Sequence, residues 1–492
     1  MGNMAQRLAK VLVAACAAGA FFSAAFGLIV PKFVRANTVW TTTSTFRNFY
    51  GMERNTIDVL CFGSSHAASS FVPQELYRRR NVRAYNLGSE QQSLVTTYWW
   101  LREALRFQSP SAVLLDCYLL FPYNRGEPLN AAESMTRKAF DCMRWSAVKA
   151  MAARDLERHD KKLSAWSFVL PNIRYHERVK HLAPEDFIAG RLTKNDRLKG
   201  YAPLLYPSNI AFSPIADGGG EEEPMVPLME EYLEKIAGLC AERGIALVLY
   251  KIPTVAWNAG RHNRVARFAE ERGLPFIDFN REDLHSALRF DFARDMADGG
   301  HASFWGARKI SRHLADVLWR EHGAGGVIDA QWERTEAAYR DLERDALLRA
   351  ETDRLAYISL LRTGGERYSV FMSLRPDGVN GLPEDIEEAF QVGGTEESWK
   401  RGGYVEVITA KKTQSRAAQD EPAECRAALN RGSLRVELKS AGLEAGDRSE
   451  IVLNGQNVSK NRRGLNIVVY DNGSHSVVDS VCLPFGERTI LR

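Results

Sequence analysis

What the chain lacks narrows its function first. There is almost no excess of one charge: 65 Lys and Arg stand against 61 Asp and Glu in 492 residues, a net of +4. Nucleic-acid binding needs a basic stripe to neutralise phosphates, and none is present, so nucleic acid is excluded as a partner. Cysteine is scarce, at 7 residues, and no CxxC pair occurs. Neither a dense disulfide scaffold nor a metal site is encoded, and no cofactor is expected. Low-complexity tracts are missing too; 45% hydrophobic and 26% charged residues describe a folded protein. The length exceeds what a single ordinary core fills and points to two or three folded units.

One long uncharged stretch is present, from Val11 to Val30, preceded by Arg7 and Lys10. It reaches the ~20 residues that a bilayer-spanning helix requires. A cleaved signal peptide and a lipoprotein box at Val13-Ala14-Ala15-Cys16 are the alternatives. Against the first, the run is longer than a usual h-region and ends at Pro31-Lys32 without a small-x-small site; against the second, the residues after Cys16 are apolar. An uncleaved anchor with a cytoplasmic stub is therefore expected over 1–35, with everything after it outside the cytoplasm at the cell membrane. In an exported chain the remaining cysteines are free to pair, and Cys425 with Cys482 is the pair to test.

After a Thr-rich connector, Thr41 to Thr45, short apolar runs alternate with amphipathic ones. Asp58–Phe62, Ala84–Leu87, Ala112–Asp116, Ala246–Tyr250 and Pro275–Asp278 read as strands, with helices over Ser93–Phe107, Arg264–Glu271 and Ala307–Trp319. Such alternation predicts an α/β domain built on a parallel sheet, with its ligand site at the carboxyl ends of the strands. This domain is expected over 36–328, interrupted by an insertion of mixed composition at about 122–225 lying over the site. A charged segment at 329–362, with Trp332, Tyr339, Leu342 and Ala346 at helical spacing, predicts a linking helix. Residues 363–492 alternate apolar and polar side chains and place Asn472-Gly473 between two strand-like runs. A β-rich α+β second domain follows.

Two short motifs carry chemistry. Gly63-Ser64-Ser65-His66 directly follows the first strand, where a sharp turn exposes a nucleophile beside backbone N–H donors. Asp298-Gly299-Gly300-His301 precedes the closing helix, so that one loop offers a base and the carboxylate that orients it. His66 is the other candidate base, though adjacent residues at a turn usually point apart.

Gly63-Ser64-Ser65, Asn86-Leu87-Gly88 and Asp298-x-x-His301 resemble the first, second and last blocks of the SGNH (GDSL-like) hydrolases. The likeness is to the membrane-anchored branch that includes the lipoteichoic acid D-alanylation and alginate O-acetylation proteins. The resemblance implies a three-layer flavodoxin-like domain, with Ser65 as nucleophile, His301 as base and Asp298 as its partner. It further implies that the Gly88 and Ser65 N–H groups hold the oxyanion. Ser64, His66, Gln92 and, in the insertion, Tyr175, His176 and Arg178 are candidate substrate contacts. The third block departs from the family: Leu115-Asp116-Cys117-Tyr118 carries no asparagine, so one oxyanion donor is missing or comes from elsewhere, with Gln92 and Asn86 as candidates. Losing such a donor costs roughly 10²–10³ in rate.

The run Arg463-Gly464-Leu465-Asn466-Ile467-Val468-Val469-Tyr470-Asp471, with Val478-Asp479-Ser480-Val481 and Tyr368–Met372, resembles the interleukin-like EMT inducer (ILEI) domain. Trp399, Tyr404 and Asn466 are its candidate glycan contacts. Together the two resemblances imply a serine esterase or O-acetyltransferase acting on a cell-surface polysaccharide or glycan, beside a multispanning membrane O-acyltransferase. The alternative is an inactive glycan-binding or assembly factor.

Overall fold

The computed structural model describes residues 27–34, 38–182, 186–187, 197–207, 210–215, 219–410 and 413–492, with the single residues 6, 10 and 13. Most of the anchor expected at 11–30 lies outside them; among the described residues no helix is long and apolar enough to cross a membrane. The chain divides into two compact units, Met1–Tyr339 and Arg340–Arg492.

In the first unit the apolar runs form five strands: β1 (Val59–Phe62), β2 (Ala84–Asn86), β3 (Ala112–Asp116), β4 (Ala246–Lys251) and β5 (Phe276–Asp278). All pair in parallel, in the order β2-β1-β3-β4-β5. Every residue of β1 and β3 is buried, as continuous apolar runs demand when both faces of a parallel sheet are covered. Helices supply the crossovers, and their starts are written in the sequence. Ser93 caps Leu94–Ala104, Asn258 caps Ala259–Glu271, and Ser303 caps Phe304–His322, which Gly323 ends in a left-handed conformation.

The order has one consequence for function. From β1 the chain passes to β2 on one side, then returns past β1 to β3 on the other, so the loops after β1 and β3 part and leave a crevice at their carboxyl ends.

Two parts of this unit differ from expectation. The Thr-rich connector belongs to a helix, Thr42–Phe49, and is buried; Phe46 stacks on Trp100 at 3.9 Å and the Tyr85 hydroxyl donates to the Thr45 carbonyl. The insertion at 122–225 is more than a loop: in its described part it reaches the crevice through Tyr123. It builds short helices whose Phe140, Leu156 and Phe168 join the main core, each such burial stabilising by about 1.5–3 kcal/mol.

The segment 329–362 is three helices, Ala330–Glu333, Thr335–Ala350 and Arg354–Thr363, instead of one. Trp332 belongs to the first unit's core, and Leu348, Tyr357, Ile358 and Leu361 to the second's.

The second unit is antiparallel. Its strands are β6 (Tyr368–Arg375), β7 (Gly403–Ile408), β8 (Thr413–Ala418), β9 (Ala423–Leu429), β10 (Leu434–Ala441), β11 (Arg448–Leu453), β12 (Gln456–Asn457), β13 (Gly464–Asp471) and β14 (Ser476–Leu483). They form one sheet ordered β14-β13-β6-β7-β8 and another ordered β12-β11-β10-β9. Leu434, Val436 and Leu438 of β10 point inward while Arg435 and Glu437 face solvent. Strand β13 is buried on both faces, which explains its apolar run Ile467-Val468-Val469.

Two further expectations fail here. Trp399, Tyr404 and Asn466 are buried: Trp399 packs on Tyr404 at 4.7 Å, and the Asn466 side chain bonds the backbone of Arg462. They hold the domain together and offer no surface to a glycan. Cys425 and Cys482 are not bridged by a disulfide; they lie on β9 and β14 of different sheets.

Candidate active site

The turn after β1 is shaped by a close approach. Gly63 has φ +143°, and a Cβ there would lie 2.5 Å from Cβ of Asp116. Only glycine brings the β1 and β3 ends so near. Ser64 follows as helix cap: its Oγ accepts the His66 N–H at 3.2 Å and donates to Asp116 Oδ2 at 2.8 Å. Ser65 is then the first residue of the helix Ser65–Ser70, where a backbone N–H has no partner within the helix.

Across the crevice, Asp298 folds its own loop. Its Oδ1 accepts the N–H groups of Gly300 at 2.8 Å and His301 at 2.9 Å, and the Val255 N–H ties the loop to the end of β4 through the Gly299 carbonyl at 2.8 Å. His301 is thereby aimed at β1. Its Nδ1 lies 2.8 Å from Asp298 Oδ2, and its Nε2 lies 2.8 Å from Ser65 Oγ. Partial burial pushes the Asp298 carboxyl upward, but the hydrogen bonds from the His301 ring and the two N–H groups prevail and hold it below the usual carboxylate range. An ionised Asp298 only accepts, so His301 carries its proton on Nδ1 and receives that of Ser65 on Nε2. Residues 236 positions apart form one proton path.

An open cavity of about 220 Å³ sits on this path, lined by Ser64, Ser65, His66, Gln91, Tyr118 and Tyr123 on one side. Thr254, Val255 and the Asp298–His301 loop line the other. His66 is 2% exposed, and its ring stacks on Tyr118 at 3.8 Å. Burial, then Lys251 and His301, hold its imidazole well below the ordinary value, so it is neutral. No hydrogen bond joins His66 to Ser65 among the described residues, and His301 alone of the two rings is placed as base. Behind it Lys251, fully buried, donates to Ile252 O at 2.7 Å and Thr254 Oγ1 at 2.8 Å and meets His66 Nδ1 at 3.1 Å. Burial brings this ammonium down to about 8 against the pull of Asp116 and Asp278. Among the described residues no group of three or more His, Cys, Asp or Glu is placed to hold a metal ion.

Of the residues singled out in the sequence, Ser64, Ser65, His66, Asp298 and His301 come together. Gly88 does not supply an oxyanion donor: its N–H is given to Asn86 Oδ1 at 2.9 Å. Asn86 donates in turn to the carbonyls of Ala67 and Phe71, both at 2.9 Å, and Gln92 to Leu87 O and Ser89 Oγ. Neither replaces the missing donor. Tyr175 and Arg178 bond away from the cavity, to Asp141 at 2.6 Å and Asp186 at 2.7 Å, while His176 is exposed and does not line it.

Sequence reasoning missed Gln91, Tyr118, Tyr123, Thr254, Lys251 and Trp40, whose ring lies 5.2 Å from that of His301. A signal for Lys251 existed: a charge closing the apolar strand Ala246–Tyr250 faces the strand ends where ligands bind. Gln91 stands at φ +47°, with Oε1 held by Asn124 Nδ2 at 2.7 Å and Ala132 N at 3.1 Å; its Nε2 has no partner among the described residues. Compared with known proteins, the chain matches no family model and no curated protein.

Proposed function

We propose that this chain is a serine-dependent acyl ester enzyme, an O-acetyltransferase or esterase of the SGNH type, acting on a cell-surface polysaccharide or glycan. The observation that carries the reading is the Asp298–His301–Ser65 path, with 2.8 Å at each step, at the switch point of a parallel sheet. The strand order 2-1-3-4-5 is the flavodoxin-like one, as the resemblance implies. Ser65 Oγ attacks the acyl carbonyl as its proton passes to His301 Nε2, and Asp298 stabilises the imidazolium. The leaving alcohol takes that proton. A sugar hydroxyl or water then attacks the acyl-serine with His301 again as base, which moves or removes the acyl group. The cavity is smaller than the ~300–1,000 Å³ of drug-sized ligand sites, which suits a short acyl group.

The uncharged run 11–30 supports a membrane anchor that holds both units outside the cytoplasm, beside a membrane O-acyltransferase as acyl source. The second unit is proposed as an ILEI-like domain. With its aromatics buried, sugar contact falls to the mouth of the cavity, where Tyr123 is 46% exposed. The competing reading, a glycan-binding factor without turnover, draws on the engaged donors at Gly88, Asn86 and Gln92.

The test is to give the full-length chain p-nitrophenyl acetate with and without an acceptor oligosaccharide. Mass spectrometry then reads acetyl on sugar or released acetate. Either product, absent with Ser65→Ala, supports the enzyme; neither product with the wild type supports the binding factor.

A further inference from the structure

The third block of the first unit ends in Asp116, which accepts from Ser64 at 2.8 Å and gives nothing to the cavity. With Gly88, Asn86 and Gln92 also engaged, the oxyanion is left with the Ser65 N–H and no second donor from the expected blocks.

We propose that His66 is the second donor, through an Nε2–H that Lys251 fixes and that points into the Ser65 cavity. The inference rests on the acyl-serine chemistry proposed above. An ammonium has three hydrogens and no lone pair, so every contact of Lys251 Nζ is a donation. Ile252 O and Thr254 Oγ1 take two of them; the Thr254 hydroxyl, itself 3.4 Å from His66 Nδ1, has its shortest acceptor in the Pro253 carbonyl at 2.7 Å. The third goes to His66 Nδ1, at 3.1 Å. A neutral imidazole that accepts on Nδ1 carries its hydrogen on Nε2.

The surroundings hold that nitrogen in place and open. Tyr118 fixes the ring plane by stacking 19° from parallel, and the ring stands edge-on to His301 at 5.1 Å. On the opposite loop, a Cβ at Gly300 would press on His66 Nε2 at 3.1 Å and crowd the donor. Ser65 and His66 are consecutive, so an oxygen bound in the cavity meets a backbone N–H from one and a ring N–H from the next. Lys251 is a positioning residue that touches no substrate. The donor is kept as a neutral N–H, which stabilises developing negative charge without offering Ser65 a second base.

Two measurements on the full-length chain test this. In ¹⁵N-histidine-labelled protein, two-bond proton–nitrogen spectra report each ring's tautomer, with His66 assigned by its loss in His66→Gln. The Nε2–H form is expected, and it is read in the wild type, so no interior variant has to fold. In turnover of p-nitrophenyl acetate, His66→Leu should lower kcat by roughly 10²–10³ with KM little changed, the size of a lost oxyanion donor. His66→Gln, which keeps a side-chain N–H, should recover part of it. An Nδ1–H tautomer overturns the proposal. So does wild-type kcat in His66→Leu while Ser65→Ala is inactive, which leaves the acyl-serine reading standing. A wild-type chain without turnover overturns both.

Discussion

Asp116, at the end of β3, accepts the hydroxyl of Ser64 at 2.8 Å and so ties the third strand to the turn that presents Ser65. The two side chains are joined to each other and turn away from the Ser65–His301 pair. Burial raises the Asp116 carboxyl above its usual range, while the nearby Lys251 and the Ser64 bond oppose the shift. Ser64→Ala removes a helix cap and leaves a buried carboxylate short of a donor. A loss of about 1–3 kcal/mol is expected, read as a lower urea midpoint.

Asp298→Asn separates orientation from charge. An amide in place of the carboxylate allows His301 the wrong tautomer, and kcat should fall by roughly 10⁴, as when a triad aspartate is so replaced. Turnover of p-nitrophenyl acetate with an unchanged circular dichroism spectrum checks it.

The pH dependence follows from Lys251, whose ammonium titrates near 8 because it is buried. Asp116, Asp278, Cys117 and Arg261 face it. Below that pH it donates to His66 and fixes the Nε2–H form. Above it the amine has a lone pair, His66 is free to exchange tautomers, and kcat should fall. Stability moves the other way. The folded pKa lies below the unfolded 10.5, so between about 8 and 10.5 the unfolded chain binds more protons and this group's contribution rises with pH. A rate that drops from pH 8 to 9 without a lower melting temperature is expected, and Lys251→Met should lack the basic limb.

Tyr123 and Trp399 make a contrasting pair. Tyr123 is half-exposed at the cavity mouth, whereas Trp399 is 3% exposed inside the second unit. Tyr123→Ala should raise KM for an acetylated oligosaccharide by a larger factor than KM for p-nitrophenyl acetate. Trp399→Ala should cost about 3–5 kcal/mol of stability, seen by thermal melting, without changing retention on native cell-surface polysaccharide.

Much of this arrangement was legible because it is local. The five parallel strands announce themselves as apolar runs, and Asp298 reaches His301 within a single turn. What failed depends on where a side chain turns. Gln92 and Gln91 are neighbours, but the left-handed backbone at Gln91 leaves it lining the cavity while Gln92 is spent on Leu87 and Ser89. Gly88 follows its motif, yet its N–H is taken by the asparagine two residues before it. Asn472-Gly473 marks a real hairpin, but the loop runs four residues, from Asp471 to Ser476, and the positive φ falls on His475. Trp399 and Tyr404 suit a sugar face equally well when buried against each other; composition cannot tell the two apart.

The central claim is that Ser65 is a nucleophile activated by His301, and a fluorophosphonate probe tests it most directly. Mass spectrometry of the labelled full-length chain should place the adduct on Ser65. Labelling should vanish in Ser65→Ala and fall to near background in His301→Ala, with the double variant hardly worse than either, since members of one catalytic unit act non-additively. Undiminished labelling of Ser65→Ala, or none of the wild type across pH 6 to 9, would contradict the account.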